Sequence, residues 1–338
     1  MRATVDMANA LRDRGHAVRI ACRRPDSPTW KQRLKGMVRE RGKNGRPDTN
    51  GDWVQNLRGL AEDFDKLDEL QFSAGEVVIA VGSFTIDDVR ALKGDVVKVR
   101  YCHGFQEHDK PMMERVWGGQ DLPTLAVANT LTGRLLGYGG LTPLAIVPNG
   151  IHTADYFIEE RQRDGIGTIY ATHFNKGPEF TRDVLRQSRE KWPGVRLNVF
   201  GFEGRPAEMD VADYTQLPDV TVSRSLYNKS QVWLVCSRHD FFCLPILEAM
   251  ACGCVVISTR NLGAMELIED GKNGFLKEFE DVEGFLGIIA RVREDAALRR
   301  RVVEAGQETV RRHTWEAAAQ KMETVLMEIS GATQGAGR

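Results

Sequence analysis

The chain has 338 residues, 42% of them hydrophobic and 28% charged, a length that suits two domains and a composition that buries real cores. A formal net charge of −1 argues against bulk binding of nucleic acid. No apolar run approaches the ~18 residues needed to span a bilayer, and the opening Met1–Met7 stretch lacks the apolar core of a signal peptide.

Short apolar runs and helical patterns alternate along the chain. The spacing predicts an amphipathic helix over Thr4–Arg14, stopped by Gly15, and a strand over Ala17–Cys22. Between Arg23 and Arg46, Lys and Arg stand at 23, 24, 31, 33, 35, 39, 41, 43 and 46 against only Asp26 and Glu40. That segment reads either as a solvated loop or as a basic lip for an anionic acceptor or a membrane surface. Strands follow at Val77–Val81, Val96–Cys102, Thr124–Ala128 and Leu144–Val147, each short, β-branched and bounded by turn residues. Val147-Pro148-Asn149-Gly150-Ile151 is a turn signal, and a polar run from Glu159 to Gly165 follows it.

A second alternating series begins at Gly167. Its predicted strands lie at Thr168–Thr172, Arg196–Phe200, Val220–Val222, Val232–Cys236 and Cys254–Ser258. Its predicted helices lie at Glu179–Lys191, Leu244–Ala251, Val282–Ala290 and Ala297–Arg312, with a last one at Trp315–Ile329 and a frayed tail after it. The expected architecture is α/β, with two doubly wound parallel sheets covered on both faces. The expected domains are residues 1–149, 150–312 and a closing segment 313–338. The six cysteines lie in or beside apolar stretches without a C-x-x-C pair, which favours buried reduced thiols in a cytoplasmic protein over a zinc site.

The stretch richest in chemistry runs from Ser237 to Gly253. It reads as a strand, a turn, and a helix opening at Leu244 and Pro245, where proline's missing N–H costs nothing. The free amides of that helix start are a natural seat for phosphate. Glu248, one turn further on, is suited to accept two hydrogen bonds from a ribose diol. Asp240, just before the helix, is placed to touch a sugar hydroxyl. The structural alternative is a capped helix with an ordinary surface glutamate.

This stretch, D-F-F-C-L-P-I-L-E-A-M-A-C-G, resembles the E-x7-E region of the retaining glycosyltransferases of family four, also called group 1, which read roughly S-x-x-E-G-F-G-L-P-x-x-E-A-M-A-x-G. The run Val255–Thr259, then Gly263, Glu266, Asp270-Gly271 and Asn273–Leu276, is similar as well. So are Arg14-Gly15-His16-Ala17-Val18, the Val147–Ile151 link and the helix opening at Trp315. The resemblance implies the GT-B fold: two Rossmann-like domains facing a cleft, with a terminal helix crossing back to the first. It implies an N-terminal domain on the acceptor side, a C-terminal domain that binds the nucleotide-sugar donor, and transfer with retention of configuration. Glu248 would bind the ribose, and Asp240 would contact the transferred sugar. Backbone amides at Phe242, Cys243 and Leu244, beside Pro245, would hold sugar and phosphate oxygens. Lys176, in the family's K-G pair, would neutralise the diphosphate. Gly201 would border the nucleotide, and His103 would stand at the sugar-transfer end. No metal or cofactor is expected. The acceptor would be a carbohydrate, a lipid-linked group or a small molecule.

Three departures stand out. The family's first strand and Gly-Gly loop are missing, so the chain opens inside what corresponds to the first helix; this points to a start upstream of Met1 and to exposed strand edges. Ala171 replaces the arginine five residues before the K-G lysine, a contact that His173 or another residue would have to supply. Asp240-Phe241-Phe242-Cys243 replaces E-G-F-G, where glycine permits close backbone approach. They leave open a weakly active scaffold protein and a GT-B epimerase. A dinucleotide-dependent oxidoreductase would need G-x-G-x-x-G between strand and helix, and Gly201-Phe202-Glu203-Gly204 has the wrong spacing.

Overall fold

The computed structural model describes residues 2–23, 61–105, 109–205 and 213–336. The chain divides into two compact units, Met1–Pro148 together with Ala318–Arg338, and Asn149–Ala317. Most of the basic segment, residues 24–46, lies outside the described residues.

The first unit opens with helix α1 (Arg2–Asp13) and strand β1 (Ile20–Arg23), which pairs in parallel with β2 (Ala61–Phe64). A separate parallel sheet follows in sequential order: β3 (Glu76–Ala80), β4 (Val96–Cys102), β5 (Thr124–Ala126) and β6 (Ala145–Ile146). Helices α2 (Ile86–Ala91), α3 (Lys110–Trp117) and α4 (Thr132–Gly139) connect these strands. Among the described residues β1 and β3 are not hydrogen-bonded to each other. A cavity of about 280 Å³ lies against both, lined by Met7, Leu11, Ile20, Phe64, Val78 and Ile79 among others. Arg19 bridges the two ladders at one end, with Nη1 2.8 Å from Glu62 and Nη2 3.0 Å from Glu76.

A buried arginine ties this sheet to its covering helix. Arg100 of β4 is fully buried. Its Nε donates to Thr124 Oγ1 at 2.9 Å, and its Nη atoms donate to the carbonyls of Val116, Gly119 and Leu122 at 2.9–3.1 Å. Such a charge is tolerated in a core only because its donors are satisfied.

The second unit holds six parallel strands: β7 (Gly165–Ile169), β8 (Leu197–Gly201), β9 (Asp213–Gln216), β10 (Ser230–Val235), β11 (Val255–Thr259) and β12 (Phe275–Lys277). Their order is β12-β11-β10-β7-β8-β9, so the winding reverses between β7 and β10. In open parallel sheets that reversal point, at the carboxyl ends of the strands, is where ligands bind. Alternation along β10 sends Val232 and Leu234 to one face, against Phe180, Val184 and Leu185 of α5 (Pro178–Lys191) and Phe285, Ile289 and Val292 of α9 (Val282–Glu294). Trp233 points to the other face, which is covered by α6 (Val220–Lys229) and α7 (Leu244–Ala251). Helices α8 (Leu262–Leu267) and α10 (Ala296–Arg312) complete the unit.

Two sequence expectations are corrected. Val220–Val222 is the first turn of α6, not a strand. Asp219 accepts a hydrogen bond from the Val222 amide at 2.5 Å, and that cap outweighs the weak β preference of valine and threonine. The last helix, α11 (Trp315–Ala336), runs through most of the expected frayed tail. Its portion beyond Ala317 belongs to the first unit, where Glu323 takes hydrogen bonds from Arg14 and from His16 Nε2, the latter at 2.7 Å. Its start is fixed by Gly150, where any Cβ would come within 2.2 Å of the Trp315 amide nitrogen.

Replacing Arg100 by Met keeps the volume but strands three carbonyls. The expected cost is roughly 2–4 kcal/mol of stability, read from urea unfolding followed by circular dichroism.

Candidate functional site

The loops that leave β7 and β10 meet at the reversal point of the second sheet. The His239 amide donates to the Asn175 carbonyl at 3.2 Å. Gly177, at φ +60°, lies so close to the Cys236 carbonyl that a Cβ would approach within 2.3 Å. These contacts bring Lys176, 64 residues away in sequence, onto Asp240: Lys176 Nζ stands 2.7 Å from Asp240 Oδ2. The other carboxylate oxygen, Oδ1, accepts from the amides of Phe241 at 3.0 Å and Cys243 at 3.1 Å. Burial works against the charge of Lys176, but Asp240 outweighs it and raises the lysine pKa above its ordinary value.

This cluster sits directly before α7. Leu244 and Pro245 form its first turn, and Cys243 is its N-cap at φ +57°, ψ +64°. That left-handed conformation is strained for a residue with a Cβ and free for glycine. It explains physically why a glycine is the natural occupant of this position. Burial, together with the Asp240 charge, holds the Cys243 thiol well above its ordinary pKa, so it packs as a neutral group. Phe242 is buried, and its backbone leans on Gly263 at the start of α8, where a Cβ would meet the Phe242 nitrogen at 2.7 Å. The Gly263 amide donates to the Asp240 carbonyl at 2.9 Å. The loop after β11 thus braces the 240–243 turn from behind.

Glu248 lies one helical turn into α7 and is only 5% exposed. Its Oε2 accepts from the Tyr227 hydroxyl at 2.8 Å. Gly201 ends β8, the strand next to β7, and a side chain there would collide with the Tyr170 carbonyl and the Tyr214 hydroxyl. Lys176, Asp240, Phe242, Cys243, Leu244 and Pro245 therefore form one contiguous group, while Glu248 faces Tyr227. His103 belongs to the other unit, at the end of β4. Its ring meets Tyr101 edge-on at 4.2 Å, and its buried Nε2 has no hydrogen-bond partner among the described residues. Burial pushes its pKa down to about 3.

Two neighbours carry no local signal in the sequence. Tyr227 comes from α6, and Arg238 stacks its guanidinium on Phe279 at 3.9 Å and on Phe174 at 4.6 Å. His173, a candidate replacement for the arginine lost at Ala171, uses Nδ1 to accept from the Asn175 amide at 3.2 Å. Among the described residues no helix is long and apolar enough to cross a membrane.

The sequence model of the family described as Glycosyl transferases group 1 matches residues 215–309, the segment that holds Tyr227, Asp240 and Glu248. The chain is 38% identical over 79 residues to the lipopolysaccharide core biosynthesis glycosyltransferase LpsE of Rhizobium meliloti, which is 23% of each chain. It is 23% identical over 204 residues to the phosphatidyl-myo-inositol mannosyltransferase of Mycolicibacterium smegmatis, covering 55% of this chain and 52% of that one. It thus spans about half, or less, of the length of these relatives. Among solved structures it resembles Anabaena HepE in complex with UDP-glucose, with a TM-score of 0.72 at 17% identity over 96% of this chain and 95% of that one. It also resembles the sucrose-phosphate synthase of Thermosynechococcus elongatus, with a TM-score of 0.70 at 15% identity over 96% and 92%. At such identities the likeness establishes the fold, and the fold is GT-B.

The depressed pKa of His103 sets a pH dependence. Between pH 6.5 and about 3 the unfolded chain takes up a proton here that the folded chain refuses, so stability is complete above 6.5 and falls as pH drops through that window. His103→Gln removes this contribution. The variant is expected to lose less stability than the parent between about pH 7 and about pH 4.5, in urea titrations at both values.

Proposed function

We propose that the chain is a glycosyltransferase that moves a sugar from a nucleoside-diphosphate sugar to a carbohydrate, lipid-linked or small-molecule acceptor, with retention of anomeric configuration. The observation that carries this assignment is the anion seat before α7, where a lysine and two backbone amides converge on one carboxylate. Asp240 is itself the anion held there, and a diphosphate carries charge of the same sign on the same kind of acceptor oxygen. The similarity of residues 215–309 to group 1 glycosyltransferases supports it.

In the proposed reaction the bond between the sugar's anomeric carbon and the phosphate oxygen breaks. Its electron pair stays on the diphosphate. A new bond forms from the acceptor oxygen to the anomeric carbon, and the acceptor proton passes to the departing phosphate. Lys176 and the amides at the head of α7 stabilise the charge that develops there. Phe242, Cys243, Leu244 and Pro245 shape that seat, Gly201 gives the nucleotide room, and Glu248 holds the ribose. Asp240 meets the sugar, and His103 serves the transfer end. On this assignment no cation is needed at the diphosphate. Peripheral membrane contact through residues 23–46 belongs to the same proposal.

A second assignment, a glycosyltransferase-like binding subunit of little activity, is favoured by the strained Cys243 and by Ala171. Donor binding without donor hydrolysis or transfer across a broad acceptor panel would select it.

Calorimetric titration with UDP, GDP, ADP and dTDP is the direct test. At least one should bind, and Lys176→Ala and Glu248→Ala should each weaken it by about tenfold or more, as loss of a charged hydrogen-bond partner does. Unaltered binding in both variants would remove the site.

A further inference from the structure

A carboxylate at 5% exposure is costly unless its oxygens are satisfied, and its direction matters if it is to grip a ligand. Resting on the donor site proposed above, we propose that Tyr227 is the positioning residue that aims Glu248 at the pentose and so sets the discrimination between ribose and deoxyribose. The two residues are 21 apart in sequence and come from different helices, α6 and α7. The Tyr227 hydroxyl donates to Glu248 Oε2 at 2.8 Å. Burial beside Glu248 raises the Tyr227 pKa well above its ordinary value, so the phenol remains a donor at neutral pH.

The tyrosine is rigid because its ring is walled in. Trp233 lies 4.0 Å away between centroids, Phe200 5.8 Å and Tyr156 5.9 Å, the last two edge-on. Trp233 can occupy its place only because residue 167 on the neighbouring strand is glycine: a Cβ there would sit 2.1 Å from the Trp233 ring. The Cys254 thiol donates to the Tyr227 carbonyl at 3.1 Å and ties the backbone as well. A chain of contacts thus runs from Gly167 through Trp233 and Tyr227 to Glu248. The hydroxyl that holds one carboxylate oxygen is itself held by the sheet.

The rotamer of Glu248 is therefore decided from below α7, before any ligand arrives. A carboxylate fixed in this way reads a hydroxyl by position. A loose carboxylate would follow either sugar. Glu248 is remote from the bonds that change, so its aim bears on donor affinity rather than on turnover at saturation.

The test uses the full chain and whichever of UDP, GDP and ADP binds most tightly, with its 2′-deoxy counterpart. Tyr227→Phe is expected to weaken the ribonucleotide by about threefold to tenfold, the range of one ordinary hydrogen bond, because the loss reaches the ligand only through Glu248. It should narrow the gap to the deoxynucleotide and raise KM for the donor sugar with kcat nearly unchanged. In a Glu248→Ala background the same substitution should have no effect on affinity, because the tyrosine acts through that carboxylate. Trp233→Phe, which keeps the hydroxyl but slackens its wall, should weaken binding by a smaller factor, and it decides the matter if Tyr227→Phe does not fold. Parental affinity and ribose preference in folded Tyr227→Phe or, failing that, in Trp233→Phe would overturn the positioning role, while a binding defect in Glu248→Ala would leave the donor site standing. Parental binding in Glu248→Ala, or no binding by the parent chain, would overturn both.

Discussion

The second unit is organised around one carboxylate held at the amino end of α7. Helix starts carry unpaired amides and a partial positive charge, and they attract anions. Here Asp240 folds back onto the amides of residues 241 and 243, and Lys176 closes the other side. Three chain segments that are far apart in sequence converge on this point: the loop after β7, the loop after β10 and the start of α8. Each is brought there by a parallel strand that ends at the same edge of the sheet. The winding reversal between β7 and β10 keeps crossover helices from covering the gap.

Around that point, small residues determine how closely backbones approach. Gly177 lets one loop lie on the Cys236 carbonyl, and Gly263 lets α8 press on Phe242. Gly167 makes room for Trp233, and through it for Tyr227. Cys243 is the exception, since it adopts a left-handed conformation that suits glycine. Its thiol is buried and neutral, so the gain at that position is packing rather than reactivity. The strain is localised at the turn that shapes the anion seat, as strained residues in functional loops commonly are.

The two units use buried polar groups differently. In the first, Arg100 makes four hydrogen bonds, to Thr124 and three carbonyls, and so fixes α3 and the entry to β5 against β4. In the second, Glu248 receives the Tyr227 hydroxyl at one oxygen in a largely aromatic setting. The arginine is consumed by structure. The glutamate is tied to the neighbouring helix by a tyrosine hydroxyl.

Much of this was legible in sequence. Val96–Cys102 and Leu244–Ala251 were read to the residue, because a valine-rich run bounded by turn residues and a proline-headed apolar helix leave little choice. The placing of Asp240 directly before a helix that opens at Leu244 and Pro245 followed from local spacing alone. Strand β9 carried no such signal: it is a polar edge strand, and an edge needs no apolar face. The start of α6 was misread because three β-branched residues outweighed the preceding Asp219 cap. The pairing of Lys176 with Asp240, the hold of Tyr227 on Glu248 and the engagement of His173 with its own loop were set by tertiary structure. Sequence patterns report the face a residue turns to and the helix or strand it joins. Contacts between segments 21 or 64 residues apart depend on the order of strands in the sheet, which no local periodicity encodes.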